Sequence, residues 1–232
     1  MRPRSRRQSQ HGFTLIELLV AISVMALMAM MSWQGLDGMT RAQTQTRQRA
    51  NEVLALQMGL AQWAADLDAL AQVPQIQSLD WDGRVLRMTR YSRTSATEGL
   101  LVVAWSRRLE DGAGQWLRWQ SPPLHTRREL LDAWQQATVW AQNPGQELKK
   151  REVRVTPLEQ WQLFYFRQNA WTNPLSSDAT VAAPGGVAAA PAVLNTSLPD
   201  GVRLVLTLPG NTALGGVITR DWIRPTLGGN KS

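Results

Sequence analysis

The sequence contains no cysteine and only two histidines, His11 and His125. The missing thiols exclude disulfide bonds, thiolate metal sites and a cysteine nucleophile. No P-loop, G-x-S-x-G or H-E-x-x-H motif occurs in the 232 residues either. The side chains of Asp178, Asn195 and Asp200 are sparse for a calcium-binding loop. We therefore expect no catalytic residue, no metal site, no cofactor and no enzymatic activity.

Acidic residues are missing from the first twelve positions, which carry four arginines: Arg2, Arg4, Arg6 and Arg7. The whole chain has 25 basic and 18 acidic residues, a formal charge of +7. Without those four arginines the charge is +3, and the longest basic run left is residues 149–151. Such a small and dispersed positive charge does not indicate a nucleic-acid surface, so we expect no nucleic-acid partner.

Charge is almost absent from the 21 residues from Phe13 to Trp33 inclusive, where Glu17 is the single ionisable side chain. A helix of that length spans about 31 Å, enough to cross the hydrocarbon core of a bilayer. A carboxylate in such a span costs about 2.5–3.5 kcal/mol on insertion scales, so an ionisable residue there indicates a function. The sequence predicts a membrane helix in which Glu17 is the functional side chain.

The residues around Glu17 form a specific motif. Positions 11–18 read His-Gly-Phe-Thr-Leu-Ile-Glu-Leu, which resembles the processing and assembly signal of type IV prepilins and type II secretion pseudopilins. The resemblance implies that a prepilin peptidase cleaves between Gly12 and Phe13 and methylates the new amine of Phe13. It also implies that Glu17 pairs with such an amine on a neighbouring subunit, because both charges are costly in hydrocarbon when alone. An ordinary signal anchor with an incidental glutamate is the competing interpretation.

The motif also implies how the chain is divided. Residues 1–12 would be a cleaved leader, held in the cytoplasm by its arginines. A secretory signal peptide would instead be cut after its apolar segment. Residues 13–35 would form the transmembrane and assembly helix in the bacterial inner membrane, and residues 36–73 its amphipathic continuation. Residues 74–232 would form a β-rich periplasmic domain with a long loop at 174–197.

Hydrophobic periodicity predicts that the helix continues beyond the membrane. Apolar residues recur at steps of three and four over residues 53–70, and Pro74 ends the pattern. We expect this stripe to pack on the domain's own sheet rather than on a partner. Gly35 and Gly38 are weak points at which the helix could loosen, because each costs about 1 kcal/mol relative to alanine.

Strand patterns follow the helix. An Asp82-Gly83 turn predicts a β-hairpin, and a capping box from Thr126 to Glu129 predicts a short helix that ends before Asn143. Apolar or alternating runs predict further strands near residues 100–109, 116–119, 153–155, 161–166, 202–208 and 217–223. The predicted fold class is α+β, a long N-terminal helix packed on antiparallel sheet, which agrees with the pilin fold that the motif implies.

Several short segments resemble landmarks of the J class of minor pseudopilins of type II secretion systems. These segments are residues 33–38, 80–83, 86–90, 161–166 and 198–204. The resemblance implies a protein near the tip of a periplasmic pseudopilus, bound to the I- and K-class minor pseudopilins. There it would prime assembly and support the export of folded proteins across the outer membrane. The helical, Trp-rich segment 118–142 departs from the class. A minor pilin of a type IV pilus or DNA-uptake system is the alternative, although disulfide-closed minor pilins typically carry a cysteine pair.

Eleven tryptophans stand beside only three phenylalanines and two tyrosines. Three of them fall at helical or alternating positions typical of a core: Trp63, Trp105 and Trp161. Four others cluster in the sequence: Trp116, Trp119, Trp134 and Trp140. Burial in the core and display as an exposed patch are both open for this cluster. In an exposed patch, Trp134 and Trp140 would be the candidate partner-binding residues, and stacking on sugars or single-stranded nucleic acid would be a further use.

Overall fold

The computed structural model describes residues 13–92, 99–175 and 198–225. The leader at residues 1–12, and with it Gly12, lies outside these residues, as does most of the loop expected at 174–197. Helix α1 spans Leu15–Asp68. The chain forms two compact units with their boundary between Arg49 and Ala50.

The N-terminal unit is helical from Leu15 onward, and every described residue up to 49 is exposed. The helix continues through Gly35 and Gly38, and nothing lies within 4 Å of a Cβ added at either position. The loosening expected at these two glycines stays a prediction.

The second unit contains nine described strands and two further helices. The strands are β1 Leu79–Trp81, β2 Val85–Tyr91, β3 Leu100–Glu110, β4 Ala113–Gln120, β5 Glu152–Pro157, β6 Gln160–Arg167, β7 Ala170–Thr172, β8 Gly201–Leu208 and β9 Gly216–Ile223. The helices are α2 Arg127–Gln142 and α3 Gln146–Lys149. Two antiparallel sheets result: the first has the order β1-β2-β3-β4-β5 and the second β7-β6-β8-β9. The prediction of an α+β, pilin-like arrangement, a long N-terminal helix followed by antiparallel sheets, is confirmed.

The hairpin predicted at Asp82-Gly83 joins β1 to β2. The Oδ1 atom of Asp82 accepts hydrogen bonds from the backbone N–H groups of Arg84 and Val85, at 2.9 and 2.8 Å. Gly83 has φ = 89°, a left-handed conformation that glycine adopts without steric cost. Asp82 stabilises the turn through these hydrogen bonds, and Gly83 adopts the left-handed conformation that the turn requires. The hairpin is therefore predictable from these two residues.

The second part of α1 packs on both sheets, as its apolar stripe predicts. Leu56, Trp63 and Leu67 are buried in one cluster with apolar side chains from both sheets. The second sheet contributes the alternating residues of β8, all buried: Val202, Leu204, Leu206 and Leu208. Burying apolar surface in this cluster is what holds the helix on the domain.

The C-terminal end of α1 differs from the prediction. The helix ends at Asp68 and not near residue 73. Leu70 forms a bridge with Arg90 of β2, and the Ala71 N–H donates to the Thr89 carbonyl at 2.9 Å. Tertiary hydrogen bonds to the part of β2 that β1 leaves unpaired therefore end the helix before Pro74 is reached.

Asp66 is a fully buried carboxylate on the inner side of α1. Arg118 of β4 donates to it twice, from Nε to Oδ2 at 2.7 Å and from Nη2 to Oδ1 at 2.9 Å. An Arg90 guanidinium nitrogen lies 3.2 Å from Oδ1, and Trp105 Nε1 donates to Oδ2 at 3.0 Å. Gln62 donates to Oδ1 at 2.8 Å. The carboxylate is thus hydrogen-bonded and paired, which is the condition under which a buried charge is tolerated.

Helix α2 covers the other face of the first sheet. The capping box predicted at its start is present: Thr126 Oγ1 accepts from the Glu129 N–H, and the Glu129 carboxylate accepts from the Thr126 N–H. Hydrogen bonds from the backbone N–H groups of His125 and Thr126 lower the pKa of Glu129. His125 is an exposed residue of the preceding loop.

The four clustered tryptophans are buried, which corrects the hypothesis of an exposed patch. Trp116, Trp119 and Trp140 have no exposed surface, and Trp134 is 9% exposed. Trp134 Nε1 donates to Thr89 Oγ1 at 2.9 Å. The reason is that α2 is amphipathic and lies on a sheet face, so its tryptophans fill the space between helix and strands. In this fold Trp134 and Trp140 are core residues and are not available as partner-binding side chains.

At Gly59, α1 packs closely against the first sheet. A Cβ added there would lie 2.1 Å from Val155 Cγ1 and 3.3 Å from Trp116 Cζ3. We expect Gly59→Ala to lower the free energy of unfolding by about 1 kcal/mol or more, because overpacking outweighs the helix propensity of alanine. Denaturant unfolding followed by tryptophan fluorescence measures this.

Two variants serve as controls for the Gly59 substitution. Gly38→Ala, where the added methyl meets nothing, should leave the domain's unfolding unchanged. In the double variant Gly59→Ala/Val155→Ala, part of the loss should be recovered, because the clashing methyl is removed. Equal effects of the two single glycine substitutions would contradict the close-packing explanation.

Candidate functional site: the N-terminal helix

The first part of α1 has the properties of a membrane span. It is the one described helix that is long and apolar enough to cross a bilayer, with a mean hydropathy of 2.2 in its most apolar window. None of the residues in this most apolar stretch is buried within the protein. The apolar side chains from Phe13 to Trp33 therefore have no described partner inside this chain, and water is an unfavourable environment for them.

Polar side chains in this span bond to their own helix. The hydroxyls of Ser23 and Ser32 donate to the carbonyls four residues earlier, at 2.8 and 2.9 Å. In hydrocarbon a polar group must be satisfied within the protein, and these bonds meet that requirement. Among the described residues of the span, Glu17 is the only side chain that brings a formal charge.

Glu17 bonds to Thr14 at the start of the helix. Its Oε2 atom accepts from the Thr14 N–H at 3.0 Å and from the Thr14 hydroxyl at 2.8 Å. In the reverse direction the Glu17 N–H approaches Thr14 Oγ1 at a longer 3.4 Å. This is the reciprocal pattern of a capping box. The sequence signal for it is the Thr-x-x-Glu spacing at residues 14–17.

The capping box uses only one of the two carboxylate oxygens of Glu17. Both contacts from Thr14 go to Oε2, and no described residue donates to Oε1. Phe13 precedes the helix and is exposed, four residues before Glu17 and about one helical turn away. Gly12, the other residue of the expected cleavage site, lies outside the described residues. The site as described is an exposed apolar helix start that carries one partly satisfied carboxylate.

No group of side chains suited to holding a metal ion is found in the described residues, because they contain no such cluster of three or more His, Asp or Glu side chains. Of the residues considered for calcium, Asp178 and Asn195 lie outside the described part, and Asp200 is paired with Arg224 at 2.5 Å.

Comparison with known proteins agrees with the motif. Residues 7–33 match the family model of the prokaryotic N-terminal methylation motif. Over 65 residues the chain is 37% identical to type II secretion system protein J of Klebsiella pneumoniae. That match covers 28% of this chain and 32% of the relative, so the chain aligns with about a third of the relative's length. The chain is thus similar to prepilin-type proteins at its N-terminus and to protein J over part of its length, and it has a pilin-like α+β arrangement.

Proposed function

We propose that this chain is a minor pseudopilin of a type II secretion system. A single pass through the bacterial inner membrane, residues 13–35, would hold the domain from residue 74 onward in the periplasm. The observation that carries the proposal is the exposed apolar start of α1 with its one carboxylate, which lies within the methylation motif matched at residues 7–33. Such a helix requires lipid before assembly and neighbouring helices after it.

The geometry of Glu17 supports a role in assembly. Oε2 is engaged by Thr14, and Oε1 has no described donor, so the carboxylate can accept a further hydrogen bond without losing its cap. Cleavage after Gly12 would create an amine at Phe13, and N-methylation keeps that amine positively charged. An amine of a neighbouring subunit is the cation that would compensate the carboxylate in the low dielectric of a helix bundle.

The proposed role is structural and not catalytic. The chain would lie near the tip of a periplasmic pseudopilus, in contact with the I- and K-class minor pseudopilins, and would be processed by the prepilin peptidase. In that position it would prime assembly and support the export of folded proteins. The similarity to protein J supports this role, and a pilus or DNA-uptake system is the alternative that the same motif allows.

Three variants separate the charge of Glu17 from its capping role. Glu17→Ala removes both, and Glu17→Gln keeps a capping acceptor without charge. Thr14→Ala keeps the charge and the backbone N–H donor of residue 14 but removes the hydroxyl part of the cap. We expect all three to enter the membrane and to be cleaved. Both Glu17 variants should enter the filament at least about tenfold less, because an unpaired ammonium remains. Thr14→Ala should assemble close to wild type.

Cross-linking measures this in cells that produce the complete secretion system. Because the chain has no cysteine, a single cysteine at Met30, an exposed position of the helix, gives this chain one defined attachment site for a maleimide photo-cross-linker. Normal cross-linking of Glu17→Gln to other pseudopilins would rule out the charge-pairing role. Cross-linking to pilus subunits in place of pseudopilins would favour the alternative system.

A further inference from the structure

The second sheet ends in a strand whose outer edge has no described partner. The pairing of β8 with β9 is antiparallel, with Val202 opposite Trp222. Arg224 N–H donates to the Asp200 carbonyl at 2.9 Å, which assigns the even-numbered residues of β9 to the hydrogen bonds with β8. The backbone groups of the four odd-numbered residues therefore point outward: Val217, Thr219, Asp221 and Ile223. No described residue donates to them or accepts from them.

The other described sheet edges carry features that discourage pairing. β1 and β7 are three residues long. β5 contains Pro157, pairs with β4 through a register shift, and holds charged side chains in ion pairs with β3, such as Arg154 with Glu110 at 2.7 Å. These are devices by which proteins protect edges. β9 is eight residues long and has neither a proline nor a register shift, so it is the longest and most regular of the described edge strands, although it also carries Arg220 and Asp221.

The side chains of β9 are distributed in a specific pattern. Val217 and Ile223 lie on the outer face and are 68% and 64% exposed. Arg220, midway between them, lies on the opposite face, is exposed, and has no partner among the described residues. The neighbouring carboxylate of Asp221 is already bound to Arg203 by two hydrogen bonds of 2.7 Å. The edge therefore offers two apolar side chains and one uncompensated positive charge.

A second copy of this strand does not fit the pattern. Consider two copies of β9 paired antiparallel so that Val217 of each lies opposite Ile223 of the other. In that register the outward N–H and C=O groups of the two copies could form hydrogen bonds with each other. The same register places the two Arg220 side chains directly opposite each other. That position is a pair without mutual hydrogen bonds, in which side chains come closest. Like charges there are unfavourable, whereas an acidic residue is favourable.

We propose that β9 binds an extended segment of another protein as an additional antiparallel strand. Backbone hydrogen bonds to the four outward residues would supply the affinity. Specificity would come from an acidic residue opposite Arg220, flanked three positions away on each side by apolar residues opposite Val217 and Ile223. This interaction is separate from filament entry through Glu17 and does not depend on it.

Hydrogen exchange on the full-length chain in detergent micelles tests the free edge. The amides of Ile218, Arg220 and Trp222, which donate to β8, should be protected. The outward amides of Val217, Thr219, Asp221 and Ile223 should exchange at least about tenfold faster. Equal protection of both sets would show that the chain itself, or a second copy at high concentration, already covers the edge, and would overturn the proposal.

A tethered strand tests the specificity. A flexible Gly/Ser linker of about ten residues would join the heptapeptide Val-Thr-Thr-Glu-Thr-Thr-Val to the C-terminus, which raises its effective concentration. The tail should slow exchange of the outward amides. The factor by which it slows exchange should be about two- to fivefold larger than that of a control tail with lysine in place of glutamate. In the Arg220→Glu variant the preference should reverse. Failure of both tails to slow exchange, or the same effect from both, would contradict the proposed binding mode.

Discussion

Asp66→Ala is expected to lower the free energy of unfolding of the domain by about 3–5 kcal/mol, because it removes one partner of a buried ion pair. Arg118 makes two hydrogen bonds to Asp66, at 2.7 and 2.9 Å, and Arg90 lies 3.2 Å from the same carboxylate. In the variant both guanidinium groups would stay largely enclosed by protein without this counterion. The Trp105 indole N–H would also lose its acceptor.

The matched control is Asp221→Ala. Asp221 also receives two hydrogen bonds from one arginine, Arg203, at 2.7 Å each, but that pair is about one-third exposed. Its removal should cost about 1 kcal/mol or less. Denaturant unfolding of the full-length chain in micelles, followed by tryptophan fluorescence, compares the two variants. Similar losses of unfolding free energy in the two variants would show that burial does not determine how much Asp66 contributes to stability.

Trp140→Ala is expected to destabilise the domain by about 3–5 kcal/mol, because it leaves a large cavity between α2 and the first sheet. The side chain is fully buried, and its Nε1 donates to Glu152 at 2.8 Å. It also stacks on Trp119 with ring centroids 6.3 Å apart. The Arg108 guanidinium lies 5.8 Å from its ring. Truncation therefore removes packing, a hydrogen bond and a cation–π contact together.

Leu131→Ala on the same helix is the control for Trp140. Leu131 is 58% exposed, so its truncation should change stability by no more than about 0.5 kcal/mol. The Trp140 variant also decides between the two interpretations of the tryptophan cluster. A folded Trp140→Ala protein of wild-type stability that no longer binds the I- and K-class pseudopilins would restore the partner-binding hypothesis.

Local signals in the sequence predicted several elements correctly. The Asp82-Gly83 turn, the Thr126–Glu129 capping box and the alternation in β8 each depend on residues a few positions apart. The Thr-x-x-Glu spacing at residues 14–17 is a local signal of the same kind for the helix cap that Thr14 and Glu17 form.

Long-range contacts were not predictable in the same way. The end of α1 at Asp68 depends on pairing with Arg90 and Thr89. Nothing near Asp66 in the sequence indicates that Arg118, 52 positions away, would pair with it. The burial of Trp134 and Trp140 could not be distinguished from display, because an amphipathic helix has the same pattern whether a sheet or a partner covers its apolar face.

The sequence by itself determined that this chain has a prepilin-type N-terminus, an apolar helix with one carboxylate and a β-rich domain, because these features are encoded in composition and short spacings. Only the tertiary structure decided which tryptophans form the core, how Asp66 is compensated and which strand edge is left without a described partner. Those properties depend on which distant segments lie side by side, and side chains acquire their burial and their partners only when the sheets and the helix pack together.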